Sequence, residues 1–472
     1  MFKRFLSDSL IYALPNIFSR IIGFFLLIFY TRFLSPSDYG IIELILVLFS
    51  LLNLILPLEI TQGVARFYGD ANKKQRPIII STSFVFTLIV FFIPICLSLL
   101  FPSKVSSFLF SSILEPYFLT IVFLFMFFHS LHKLFENQLR WSLQPYKFSY
   151  LSVFSALSFS LIPIFFIYFL NLGLDGYIYG VLLASFFSFL IGFYLVNNLH
   201  KIKLSLDRTH LNQLLSFSSP LVLSSAAFYV FSYSDRWMLQ FMESTEAVGI
   251  YGAASRLASL AAVIHVLSRY AFMPLVYSSY NESESAKDIG KIFSFISLLG
   301  IFLITFIFIY ANDLVILLFG ESFYEASNLI VFLAASIILM NTYFFFPGLN
   351  IAKKTKLIAA ISISVALINL FGNYLLIPLY SMKGAAISSL FASSIMVLAY
   401  YYFGQREYRL NLNISKVILF SIVSVILSLI QKFLLWDYMI IKIFIIFVSF
   451  LFLIFFSKDY LLTIKSMILS KN

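Results

Sequence analysis

The sequence predicts an all-α integral membrane protein of about fourteen transmembrane helices. Twelve would form two six-helix bundles around a central cavity, and two more would follow. Three observations predict it. Residues AVILMFWYC make up 61% of the 472 residues and charged residues 11%, against roughly 45–50% and about 25% in a soluble domain. Apolar stretches of about 20 residues, the length that spans hydrocarbon, recur along the chain. Lys and Arg collect between alternate stretches, as they do in loops kept on the cytoplasmic side.

The apolar segments fall at 8–31, 40–63, 78–100, 117–137, 148–171, 177–198, 213–238, 248–273, 291–310, 327–349, 357–379, 382–403, 414–434 and 438–457. The first follows Lys3 and Arg4 as a secretory signal would. Its apolar run continues to about Leu34 without a small-residue cleavage site, so it reads as a retained helix. Pro15 lies inside it, and a proline there frees a backbone carbonyl and bends the helix. The second opens at Tyr39-Gly40 and places Glu59, Gln62 and Arg66 at i, i+3 and i+7, one face of a helix. The fourth and eighth are interrupted by polar residues. The seventh contains Pro220 and ends at Ser234-Asp235-Arg236. The eighth holds Arg256, His265 and Arg269, and the eleventh holds Asn369 and Asn373 on one face. The last two segments precede a cytoplasmic tail.

With the N-terminus inside, 23 of the 32 Lys and Arg fall in cytoplasmic loops, among them Lys133 and Arg140. Five fall at outer loops or outer helix ends, among them Arg32 and Lys442, and four lie within predicted helices. This places both termini in the cytoplasm and accounts for the net charge of +11. No basic patch interleaves with aromatics, so no nucleic-acid partner is expected. Cys96 is the only cysteine, which leaves no disulfide and no cysteine metal spacing. The phosphate loop Gly-x-x-x-x-Gly-Lys-Ser/Thr is missing, so the chain is not expected to hydrolyse ATP. No nucleophile, metal or paired-carboxylate constellation appears, and no catalytic residue or cofactor is expected.

The chain repeats itself weakly. Pro15 matches Pro220, Arg32 matches Arg236, Gly40 matches Gly249 and Gly176 matches Gly384, at offsets of 205, 204, 209 and 208. The repeat divides the chain into residues 1–205, 206–410 and a C-terminal 411–472. Like-oriented repeats of even helix number face each other across a cavity and alternate its access. Duplication that merely enlarges a membrane protein is the plainer alternative.

Several short pieces occur in order. They are Ser19-Arg20-Ile21-Ile22-Gly23, Tyr39-Gly40, Ser234-Asp235-Arg236, Val248-Gly249-Ile250-Tyr251, Asn369-Leu370-Phe371-Gly372-Asn373, Ile377-Pro378 and Gly384-Ala385-Ala386. Over nearly the whole chain they resemble the multidrug/oligosaccharidyl-lipid/polysaccharide exporter superfamily, most of all its O-antigen and polysaccharide flippases. That resemblance implies a V-shaped pair of bundles around a hydrophilic cavity. It also implies a lipid-linked oligosaccharide substrate, usually on undecaprenyl diphosphate, flipped across the bacterial cytoplasmic membrane for surface polysaccharide assembly. Membrane lipid and polysaccharide-assembly proteins would be the partners, and an ion gradient or the membrane potential would supply energy. Two alternatives stay open: a multidrug exporter of the same superfamily, and a membrane polysaccharide polymerase or ligase.

An anionic diphosphate needs cations on its route, and charges in hydrocarbon cost about 2.5–3.5 kcal/mol each unless they face a cavity or a partner. Arg20 lies near mid-membrane with Asn16 at i−4 on the same face. It either faces the cavity or pairs with an acid such as Glu59. Glu59 and Arg66 would receive the sugar head or a coupling cation, or form an interfacial stripe. Asp235 and Arg236, adjacent near the outer surface, would form a gate or reach lipid headgroups. Arg256 and Arg269 complete the expected substrate-binding set, with Arg256 deeper and Arg269 nearer the inner interface.

Overall fold

A computed structural model describes residues 2–110, 115–263, 265, 268, 272, 276–277, 280, 282, 284–434 and 438–469. Every long element among them is helical. Eleven helices there are long and apolar enough to cross a membrane, and α1 (Phe2–Phe33) adds a further 32-residue helix. Part of the expected eighth segment lies outside the described residues. The chain divides into two compact units, Met1–Tyr229 and Val230–Asn472.

The first unit comprises α1, α2 (Pro36–Ile55), α3 (Ile60–Asp70), α4 (Gln75–Leu100), α5 (Pro102–Phe110), α6 (Pro116–Trp141), α7 (Pro145–Ile164), α8 (Gly173–His200) and the start of α9 (Arg208–Met242). Prolines open α2, α6 and α7, where a first-turn N–H would have no helical partner in any case. Ser35 caps α2 reciprocally. Its hydroxyl accepts from Asp38 N–H at 3.1 Å, and the Asp38 carboxylate accepts from Ser35 N–H at 3.3 Å. The core of the unit gathers Ile79, Ile80, Leu134, Phe135, Leu151 and Val196 from α4, α6, α7 and α8.

One expected segment is broken. The run 40–63 reads as a single helix, yet α2 stops at Ile55 and α3 starts at Ile60. Pro57 has no N–H to continue the ladder, and Leu58 and Glu59 turn the chain with φ of 48° and 55°. Glu59 is therefore the residue before α3 rather than part of one continuous stripe with Arg66.

In the second unit lie α10 (Thr245–Ser259), α11 (Ser285–Leu318), α12 (Ser327–Thr342), α13 (Thr355–Glu407), α14 (Ile414–Leu434) and α15 (Met439–Leu469). Ser244 caps α10 by accepting from Ala247 N–H at 3.1 Å, 209 residues after Ser35 caps α2. Element α13 is two helices. Ser381 is non-helical at φ 51° and ψ −135°, and Asn369 hydrogen-bonds Ser388 and Ser389. In a straight helix those residues would stand about 28 Å apart, so the chain doubles back, as segments 357–379 and 382–403 require. Lys442, expected at an outer helix end, is buried in α15 and pairs with Asp313 of α11 at 2.7 Å.

Gly384 makes this reversal possible. A Cβ there would stand 2.1 Å from the carbonyl oxygen of Leu376. Its repeat counterpart Gly176 is also close to backbone but less so, with a Cβ 3.0 Å from the carbonyl carbon of Phe166. Backbone cannot swing aside as a side chain can. Gly384→Ala is expected to cost about 1–3 kcal/mol by overpacking, read as a lower unfolding midpoint of the purified protein. Gly23→Ala, where a Cβ meets nothing within 4 Å, serves as the control. An unchanged midpoint for Gly384→Ala refutes the backbone contact.

Candidate functional site

A cavity of about 440 Å³ lies within the first unit, between α1, α6 and α7. From α1 it is lined by Pro15, Ser19, Ile22, Gly23 and Leu26, and from α7 by Ser152, Ser155, Ala156 and Phe159. The short side chains among them, Ser19 and Gly23 on one helix and Ser152, Ser155 and Ala156 on the other, leave volume unfilled. The third wall, α6, supplies His129, Lys133, Glu136, Asn137 and Arg140. His129, Lys133, Glu136 and Arg140 are spaced 4, 3 and 4 residues apart. At 3.6 residues per turn they fall within about 60° of arc.

The charges in this wall are ordered. Lys133 Nζ donates to Glu136 Oε2 at 2.7 Å, and the Ser152 hydroxyl donates to Glu136 Oε1. The carboxylate is buried while the ammonium stays partly open, at 12% and 43% side-chain exposure. Arg140 packs over the Phe148 ring at 5.0 Å and has no carboxylate partner among the described residues. The wall thus carries two cations and one carboxylate already engaged. Lys133 stands eight residues before the end of α6, about 12 Å along the axis.

Pro15 helps hold α1 against α7. It lacks the N–H that would bind the Ile11 carbonyl, and the Ser149 hydroxyl of α7 donates to that carbonyl at 2.7 Å. The proline defect is thereby converted into an interhelical hydrogen bond beside the cavity. Ser19, one turn on, returns its hydroxyl to the Pro15 carbonyl at 2.8 Å.

The residues expected at the site are dispersed. Arg20 is exposed and outside the cavity lining, although its neighbour Ser19 lines it. The Asn16 side chain lies outside the described residues. Glu59 is half-buried at the turn before α3, and Arg66 is exposed and paired with Asp70 one turn on. Arg256 is half-buried near the end of α10. Arg269 lies outside the described residues.

Asp235 and Arg236 form a second polar centre, inside the second unit. They were expected at a helix end, on different faces. In fact α9 runs six residues past Arg236, and both side chains are buried, at 4% and 9% exposure. The guanidinium folds back along its own helix. Its Nη1 donates to Asp235 Oδ1 at 2.9 Å and to the Ser232 carbonyl at 2.8 Å, and Nη2 donates to Ser255 at 3.0 Å. The Tyr251 hydroxyl donates to Asp235 Oδ2 at 2.5 Å. The pair is thus engaged by partners of its own unit rather than reaching out along the helix. Ser234 extends the centre by donating to Asn369 at 3.2 Å, so Asn369 acts as an interhelical hydrogen-bond hub.

Sequence reasoning missed the α6 stripe. Lys133, inside the segment 117–137, and Arg140, beyond its end, were counted only as cytoplasmic charge, whereas α6 continues to Trp141 and carries both on one face. The signal was present as polar residues at helical spacing, in the segment noted as interrupted. Among the described residues no group of three His, Cys, Asp or Glu could hold a metal ion.

Comparison with known proteins agrees with this architecture. The profile of a family described as polysaccharide biosynthesis protein matches residues 29–328, well over half of the chain, and the chain belongs to that family. The structure is similar to a lipid II flippase, MurJ, in an inward closed conformation. The TM-score is 0.75 and the identity 15%, over 96% of this chain and 98% of that one. It is also similar to an inward-facing multidrug resistance MATE family transporter of the MOP superfamily. There the TM-score is 0.67 and the identity 14%, over 84% of this chain and 97% of that one. An outward-facing MATE transporter gives 0.52 at 16% identity, over 84% and 92%. These likenesses establish the fold, that of the superfamily the sequence resembles. No curated protein matches the sequence.

Proposed function

We propose that this member of the polysaccharide biosynthesis protein family is a flippase. It moves oligosaccharide units linked to undecaprenyl diphosphate across the bacterial cytoplasmic membrane, for surface polysaccharide assembly. The observation that carries the reading is the charged wall of α6: Lys133 and Arg140 against the single carboxylate of Glu136, in a cavity whose other walls carry no charge. A diphosphate headgroup meets there an ammonium and a guanidinium that bind phosphate oxygens strongly. The apolar tail needs no such cavity and stays in lipid. An exporter of cationic drugs would call for the opposite balance of charge.

Movement by alternating access is the mode that like-oriented repeats permit. In this reading both termini lie in the cytoplasm, on the side where Lys and Arg collect. Arg20, exposed one residue from the cavity lining, acts in this reading as a contact outside that cavity.

The test is deletion of the gene followed by leaflet-resolved detection of the lipid-linked repeat unit. Accumulation on the cytoplasmic leaflet, reversed by the wild-type gene, is the expected result. An unchanged leaflet distribution with intact surface polysaccharide would falsify the assignment.

A further inference from the structure

A second concentration of positive charge, away from the cavity, surrounds His200 at the loop end of the first unit. The Tyr68 and Ser142 hydroxyls share a hydrogen bond at 2.9 Å, and both reach His200 Nε2, at 3.3 and 3.1 Å. Gln138 donates to Ser142 at 3.2 Å. Arg76 lies over the Tyr68 ring at 4.9 Å, and its Nε donates to the Ala71 carbonyl at 3.1 Å. Both Arg76 and Lys147 act electrostatically on His200. Five helices, α3, α4, α6, α7 and α8, thus contribute hydroxyls, an imidazole and two cations to this cluster.

The placement of the cations is unusual. Arg76 is the second residue of α4 and Lys147 the third of α7. A helix N-terminus is itself the positive end of the macrodipole and favours anions. Neither first turn contains an acidic residue. Among the described residues neither Arg76 nor Lys147 has a carboxylate partner. The acids nearby in sequence are engaged elsewhere: Asp70 pairs with Arg66, Glu136 with Lys133, and Asp207 with His210. Asp207 accepts from the His210 backbone N–H at 2.8 Å, which with the His210 ring holds its carboxyl below the usual range. Both cations, each in the first turn of its helix, thus act on the same imidazole, and no carboxylate among the described residues pairs with either. Meanwhile Arg76 is held in place by its ring contact and its carbonyl.

We propose that this cluster is a binding site for a phosphate-bearing anion, held by Arg76 and Lys147 with the Tyr68–Ser142–His200 network beneath it. Phosphate oxygens accept from backbone N–H groups at helix N-termini, from guanidinium and from ammonium alike. The same chemistry is offered by the headgroup of an anionic bilayer lipid and by free phosphate. The site does not depend on the transport reading, since Arg76, Lys147 and His200 lie outside the cavity lining.

The experiment measures the unfolding midpoint of the full-length purified protein in detergent. The probes are short-chain phosphatidylglycerol, short-chain phosphatidylcholine and inorganic phosphate. Phosphatidylglycerol is expected to raise the midpoint more than phosphatidylcholine does. Lys147→Gln is expected to weaken that effect about tenfold, or 1.4 kcal/mol, and Arg76→Gln with Lys147→Gln to abolish it. Lys287→Gln in the second unit should leave it intact. An equal response to inorganic phosphate, lost in the same variants, supports the site and assigns it to a soluble anion. A response confined to phosphatidylglycerol assigns it to a lipid headgroup. Should Arg76→Gln fail to fold, Lys147→Gln suffices, because Lys147 makes no hydrogen bond or ion pair among the described residues. A phosphatidylglycerol response undiminished in Lys147→Gln, or no response to either anion, overturns the proposal.

Discussion

Asp235→Ala is expected to destabilise the protein by about 3–5 kcal/mol, the cost of removing one partner from a buried ion pair. The carboxylate accepts from Arg236 at 2.9 Å and from the Tyr251 hydroxyl at 2.5 Å. Its loss takes the counter-charge from a buried guanidinium and the acceptor from a buried phenol together. Asp235→Asn keeps an acceptor oxygen and discards the charge, so it should fall between wild type and Asp235→Ala. The double variant Asp235→Ala with Arg236→Met should recover much of the loss, because an apolar replacement leaves no charge to compensate. The measurement is the unfolding free energy in detergent by denaturant titration. A loss below about 1 kcal/mol, the scale of exposed ion pairs, would show that the centre is open to water.

Lys133→Ala is expected to reduce transport about a hundredfold, equivalent to about 3 kcal/mol, while the protein still inserts. Two effects add. The phosphate loses a charge-assisted contact, and Glu136, relieved of its partner, repels the incoming anion from inside the cavity. Lys133→Arg keeps the charge and should retain most activity. Glu136→Gln frees the ammonium and should bind the diphosphate no worse than wild type. Combining Lys133→Ala with Glu136→Gln removes the repulsion but not the missing contact, so transport should stay low while stability returns. That split separates a transport role from a structural one. The assay is flipping of a lipid diphosphate in proteoliposomes, scored by leaflet accessibility. Wild-type rates for Lys133→Ala would remove the α6 wall from the mechanism.

Errors in reading the sequence share one cause. Hydropathy located the segments, but Lys133 and Arg140 were sorted by side of the membrane rather than by helical angle, so the stripe they form with His129 and Glu136 along α6 went unread. The run 40–63 looked continuous because its apolar content is. The missing N–H of Pro57 and the two left-handed residues after it, Leu58 and Glu59, break it. Asp235 and Arg236 were set on different faces by their 100° separation. A long guanidinium can fold back along its own helix, and only packing decides that it does. The carbonyl freed by Pro15 finds its partner in Ser149, 138 residues from Ile11, beyond any local pattern.

What the sequence alone determined is the membrane class, the order of the spans, the markers repeated at offsets of 204 to 209 and the resemblance to a flippase superfamily. These follow from composition and short-range spacing, which sum along a chain irrespective of what it packs against. Only the tertiary structure decided where charge is confined. It set Lys133, Glu136 and Arg140 opposite the small residues of α1 and α7, and it enclosed Asp235 with Arg236. The reason is that a buried charge is stabilised by whatever distant helix supplies its partner, and that neighbour is chosen by packing.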